Sequence, residues 1–181
     1  LSEVLDTIVT PLGDLEVVLA KPDDRETIRQ MLIEAAVWMG SVGVPQWNPE
    51  QFTVEEVDSY YASRELYLLV KEKEPIGFFT LQEKDPDYWG SLHVEGYSYL
   101  HRLTVKSSFQ GQGLGSVMIH WAAKRTKALG RLGLRLDCWT KNEKVNLLYQ
   151  KLGFQHKGLG QNPNGRPVNL YELNPVIFES L

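Results

Sequence analysis

A single cysteine, Cys138, stands in the 181 residues, so no internal disulfide can form and a reducing, cytoplasmic location is expected. No apolar run is long enough to cross a bilayer, so no membrane partner is expected. The start of the chain carries Glu3 and Asp6 with no basic flank before an apolar core, which is not the pattern of a signal peptide. Positive charge is not in excess: the formal net charge is -4, which argues against a nucleic-acid partner and suits a cationic one. Internal repeats and low-complexity tracts are absent. Apolar residues at 43% and charged residues at 23% are ordinary globular levels, which excludes bulk disorder. One domain over residues 1–181 is expected, as a monomer or homodimer.

What is present is an alternation of strand and helix patterns. Leu15 to Leu19 reads as a first strand. Pro22, Asp23 and Asp24 open a helix whose Ile28, Met31, Leu32, Ala35 and Met39 keep helical spacing. Gly40, Gly43 and Pro45 end it. A second helix starts at Thr53, with Glu56 completing a capping box and Phe52 with Val57 a hydrophobic staple. Leu66 to Val70 and Ile76 to Leu81 read as an antiparallel pair. Glu83 to Gly96 reads as a long loop. Tyr97 to Val105 is the next strand, and a helix from Leu114 stops at Gly130. Leu132 to Cys138, Phe154 to Lys157 and Val168 to Leu173 read as strands, with a helix over Asn142 to Leu152. The order predicts a mixed α/β domain around one sheet.

The densest signal is Leu100 to Ser116. An alternating strand ends at Val105, and Gln110-Gly111-Gln112-Gly113-Leu114-Gly115-Ser116 leads straight into a helix. Such a turn offers unpaired backbone N–H groups and the positive end of a helix dipole to an anion. A phosphate loop of the Gly-Lys-Ser/Thr type is excluded because no lysine follows Gly115. A dinucleotide fingerprint gains some support from Asp137, which falls at a strand end near the position of a ribose-binding acid. Against it, Ser116 stands where the third glycine belongs, and the first glycine lies too far from Val105.

Gln110, Gly113 and Gly115 resemble the Gln/Arg-x-x-Gly-x-Gly/Ala signature of the GNAT acetyltransferases. Asn142, Val145, Tyr149 and Gly153-Phe154 resemble that family's later signature, with Val145 in place of the usual alanine. The resemblance is strongest from Tyr97 to Lys157. It implies a mixed, mostly antiparallel sheet of six to seven strands flanked by about four helices. It also implies acetyl-CoA as acyl donor, with no metal, and an amine acceptor that is a small molecule or a peptide.

On this resemblance Leu103, Thr104 and Val105 run along the pantetheine arm. Gln110, Gly111, Gln112, Gly113, Leu114, Gly115 and Ser116 hold the pyrophosphate, and Asn142 touches the coenzyme. Asn142 also reads as a helix N-cap, a role that Thr140 with Glu143 could fill instead. Tyr149 would give a proton to the leaving thiolate, its alternative being a packed helix residue. Leu100 to Val105 is also locally similar to serotonin N-acetyltransferases, which implies that His101 is a general base; its alternative is a hydrogen-bonded packing residue. Tyr99, His101, Leu103 and Val105 should share one strand face. Glu95 is the reserve base, and His93, His120 and His156 read as surface or packing residues. Trp38, Trp47, Phe52, Tyr88, Trp89 and Tyr97 read either as an acceptor pocket or as stabilisers of a loop or a dimer face. Two other functions fit parts of the pattern: a non-catalytic acyl-CoA-binding module, and a nicotinamide-dependent oxidoreductase resting on Asp137.

Overall fold

A computed structural model describes residues 3–181. Its eight strands follow the order β1-β2-β3-β4-β5-β6-β8-β7, and the chain divides into two compact units. One unit takes in the chain to Thr80 together with Arg102–Met118; the other takes in Leu81–His101 and Ile119–Leu181.

In the first unit, β1 (Glu3–Thr10) and β2 (Gly13–Leu19) form a hairpin. The Thr10 hydroxyl ties its turn by donating to the Gly13 carbonyl at 2.8 Å. β1 is the strand beyond the six to seven expected. It lies at a sheet edge with no fully buried residue, so it carries no apolar alternation to announce it. A single 3-10 turn at Pro22–Asp24 leads into α1 (Arg25–Ser41), which buries Ile28, Met31, Leu32, Ala35 and Ala36 on one face. α2 (Val54–Ser63) starts as its sequence indicates, with the Thr53 hydroxyl accepting from the Glu56 N–H at 3.1 Å. The Glu56 carboxylate does not complete the capping box; it accepts from the Tyr60 hydroxyl. Phe52 and Val57 are buried in one apolar cluster with Ile28, Leu32, Tyr60 and Phe78.

β3 (Glu65–Lys71) and β4 (Glu74–Gln82) are sheet neighbours joined by a two-residue turn. Both turn residues, Glu72 and Lys73, have positive φ (48° and 69°), as a tight hairpin of this twist requires. Gly77 lies against Met118, where a methyl group would meet the thioether sulfur at 2.8 Å.

The second unit begins with the stretch read as a long loop, and here the expectation is corrected. Pro86–Trp89 forms a short helix, α3, followed by a 3-10 turn at Gly90–Leu92. Trp89, 2% exposed, anchors it in a core cluster with Tyr99, Val168 and Leu170. β5 (Ser98–Val105) runs parallel to β6 (Leu134–Trp139), pairing only at Ser98 with Leu134 and Tyr99 with Arg135. β6 and β7 (Phe154–Gln161) each pair antiparallel with β8 (Pro167–Leu173). The helices are α4 (Leu114–Ala128), α5 (Glu143–Lys151) and the short α6 (Pro175–Glu179). This is the expected mixed, mostly antiparallel α/β architecture. No helix among the described residues is long and apolar enough to cross a membrane.

Candidate functional site

The glycine turn lies in the first unit and is built from strand end to helix start. A 3-10 turn at Ser107–Phe109 follows β5, and the Gln110 side-chain amide donates to the Val105 carbonyl at 3.0 Å, tying the turn back to the strand. Gly111 and Gly113 have φ of 79° and 76°, the left-handed region that side chains resist, and a Cβ at either would meet open space. Val117 is the first N–H of α4 to reach a carbonyl, that of Gly113 at 3.2 Å. The N–H groups of Leu114, Gly115 and Ser116 therefore open the helix unsatisfied by it. Dipole, open N–H groups and absent side chains together form an anion cradle.

β5 departs from regular alternation on its way to that turn. Arg102 has φ of 58°, a left-handed residue inside a strand, so the face shared by Tyr99 and His101 does not extend regularly to Leu103 and Val105. The Thr104 hydroxyl, 2% exposed, is spent donating to the Arg102 carbonyl at 2.8 Å, so its side chain is tied to the strand kink. The Arg102 guanidinium donates to the Tyr60 hydroxyl at 3.0 Å and lies over Trp47 and Phe52.

His101, in the second unit, stands at the centre of a buried polar cluster. Its Nε2 is 2.7 Å from Asp85 Oδ2, and its Nδ1 is 3.7 Å from Asp137 Oδ2. Tyr88 covers the ring at 4.7 Å between centroids. Consecutive residues of α3 thus cover alternate residues of β5: Tyr88 lies on His101 and Trp89 on Tyr99. Asp85, His101 and Asp137 place ligand atoms within 4.8 Å of one another, as a metal site would need. The two carboxylates, however, face opposite ring nitrogens. Asp85 is within hydrogen-bond distance of Nε2, whereas Asp137 lies at 3.7 Å from Nδ1, so Asp85 is the carboxylate that orients the ring.

Tyr149 lies on α5 and is 5% exposed, its ring 5.9 Å from those of Phe154 and Tyr171. Burial pushes its phenol well above the ordinary value, with Cys138, Asp137 and Tyr171 adding to the shift, so the hydroxyl keeps its proton. Asn142 is the N-cap of α5, its Oδ1 accepting from the Val145 N–H at 3.3 Å. Asn146 secures the same helix: its amide donates to the Trp139 and Asn142 carbonyls and accepts from Tyr171 and Asn169.

Several expectations are placed elsewhere by the structure. Glu95 is exposed and faces Lys84 at 4.0 Å, at the surface, which removes it as a buried base. The aromatic residues are each engaged within their own unit. Trp47 and Phe52 belong with Arg102, whereas Trp89 and Tyr97 lie against the guanidinium of Arg135 at 4.4 and 3.9 Å. His93 is a packing residue whose Nδ1 accepts from the Asp85 N–H, and His156 bonds Asn169. Asp85 is the residue sequence reasoning passed over. The one signal it offered was an aspartate before Pro86, which reads as a helix cap. Asp137, proposed for a ribose, faces His101 instead.

Residues 28–154 match the model of the acetyltransferase (GNAT) family. An uncharacterized N-acetyltransferase of Bacillus subtilis, YesJ, is 27% identical over 142 residues, 75% of this chain and 79% of that protein. A GNAT-family acetyltransferase of Listeria monocytogenes superposes with a TM-score of 0.77 at 29% identity, over 93% of this chain and 100% of that one. The PaiA N-acetyltransferase of Thermoplasma acidophilum, solved in complex with coenzyme A, superposes at 0.65 with 18% identity, over 87% of this chain and 98% of that one. With the family's model matched from α1 to the start of β7, and two signature blocks at the turn and helix just described, the chain belongs to the GNAT family of N-acetyltransferases.

Proposed function

We propose that this enzyme binds acetyl-CoA at the glycine turn and transfers its acetyl group to a primary amine, a small molecule or a peptide amine, by direct attack in a ternary complex. The observation that carries this reading is the turn itself: open N–H groups at the start of α4, with left-handed Gly111 and Gly113 leaving space for phosphate oxygens. Leu103 and Val105 are assigned to the pantetheine arm through their main chain, as a strand partner binds an edge. Asn142, whose Oδ1 holds the start of α5, is assigned to the coenzyme. His101 takes a proton from the attacking nitrogen.

Tyr149 serves the departing thiolate. Burial holds its phenol well above the ordinary value, so the hydroxyl is protonated and serves as the general acid that gives its proton to the sulfur. The test is thiol release from acetyl-CoA across polyamines, amino acids, arylalkylamines, aminoglycosides and peptide N-termini. Turnover with at least one amine is expected, falling about 100-fold in Tyr149→Phe with coenzyme affinity retained. Tight acetyl-CoA binding with no thiol release for any acceptor would instead identify a non-catalytic acyl-CoA module. Displacement of acetyl-CoA by a nicotinamide dinucleotide would favour the oxidoreductase.

A further inference from the structure

We infer that Asp85 is the positioning residue of His101, holding the imidazole in one tautomer so that Nδ1, on the Asp137 side, is the proton acceptor. This rests on the reading of His101 as base. The first observation is what Asp85 does not do. It occupies the N-cap of α3, where aspartate is among the best capping residues, yet its carboxylate makes no capping bond. It is instead 3% exposed and spent on His101 Nε2 at 2.7 Å. A carboxylate only accepts, so Nε2 carries the hydrogen and the Nδ1 lone pair is basic.

The second observation is how firmly the Asp85 main chain is held. The Asp85 N–H donates to His93 Nδ1 at 3.2 Å, and its carbonyl accepts from the Trp89 N–H at 3.1 Å. Tyr88 of α3 then covers the imidazole face. Asp85 ahead of α3, Tyr88 on α3 and Asp137 on β6 all face His101. As the amine nitrogen bonds to the thioester carbonyl carbon, one of its N–H bonds breaks and the electron pair stays on nitrogen. The proton passes to Nδ1, directly or through one water, and the imidazolium forms between two carboxylates. Asp85 touches neither amine nor thioester; it acts through the ring.

The test is a double-mutant cycle on the full chain, using the acceptor found by the amine panel. Asp85→Asn keeps the shape and removes the obligate acceptor. It should lower kcat/KM about 100-fold, the scale of a general base, with acetyl-CoA affinity within about twofold of wild type. In a His101→Ala background the same substitution should cost almost nothing further, because its effect runs through the ring. Nitrogen-15 spectra of the imidazole supply a reading that needs no acceptor: neutral His101 should carry its hydrogen on Nε2 in the wild type, and lose that preference in Asp85→Asn. An equal fall in both backgrounds, or a hydrogen on Nδ1 in the wild type, overturns the positioning role while leaving the base intact. A silent His101→Ala removes the base and the relay with it. Should Asp85→Asn not fold, the wild-type spectrum decides alone.

Discussion

Arg135 shows how far one buried cation can be committed. It is 6% exposed, and its guanidinium donates to Glu172 at 2.8 Å and to the Leu92 carbonyl and Tyr99 hydroxyl at 3.0 Å. Removing one partner of such a pair leaves the other charge buried and alone. Arg135→Ala should therefore cost about 3–5 kcal/mol of stability, measured by urea unfolding. Arg135→Lys should rescue little of it, because an ammonium cannot stack between Trp89 and Tyr97 while bonding three acceptors. Cys138 gives the residue-scale pH dependence. Burial, with Asp137 beside it, pushes its thiol up to about 12. An unfolded thiol loses its proton near pH 8.5, so above that pH the unfolded state binds fewer protons and stability falls until about pH 12. Unfolding free energies measured from pH 7 to pH 10 should decline more steeply for wild type than for Cys138→Ala. Parallel slopes would mean that the thiol is not the group responsible.

At the scale of elements, α3 is one that local pattern could not announce. A helix of four residues cannot stand alone. It forms because Trp89 finds a core and because β7 passes close by. A methyl group on Gly160 would lie 2.3 Å from the Tyr88 carbonyl oxygen and 3.0 Å from the Leu170 side chain. The backbone atom cannot yield as a flexible side chain would, so Gly160→Ala must displace α3 or β7. It should destabilise by about 1–3 kcal/mol in thermal or urea unfolding. It should also lower turnover, since α3 and the residue before it deliver Tyr88 and Asp85 to His101. Loss of stability with unchanged kcat would show that α3 moves without disturbing the ring. β1 was equally silent, for the opposite reason: it buries so little that no alternation was imposed on it. The glycine turn was legible because its requirements are local. Two left-handed glycines, a strand before and a helix after suffice to expose backbone N–H groups, whatever the rest of the chain does.

For the whole molecule, ligand binding should register as stability. A ligand that binds only the folded state at 100 times its Kd adds about 2.7 kcal/mol. For a chain of this size that is an upward shift in Tm of about 5–10 °C, readable by scanning fluorimetry with acetyl-CoA. NAD at the same concentration should leave Tm unchanged; the reverse pattern would overturn the donor assignment. The fold class, the glycine turn on its strand and helix, and Tyr149 in its place before Gly153-Phe154 are legible in the order of residues alone. These are contiguous patterns whose meaning lies in local conformation and spacing. The surroundings of His101 come from folding. Asp85 comes from a segment that reads as a long loop, and Asp137 from a separate strand where it reads as a ribose-binding acid. Folding also supplied the aromatic residues with their cations: Arg102 lies over Trp47, and Arg135 over Trp89. The physical reason is the same in each case. A buried charge is stabilised by whichever opposite charge, donor or ring the folded chain brings within a few ångströms, and that neighbour is set by packing rather than by position along the chain.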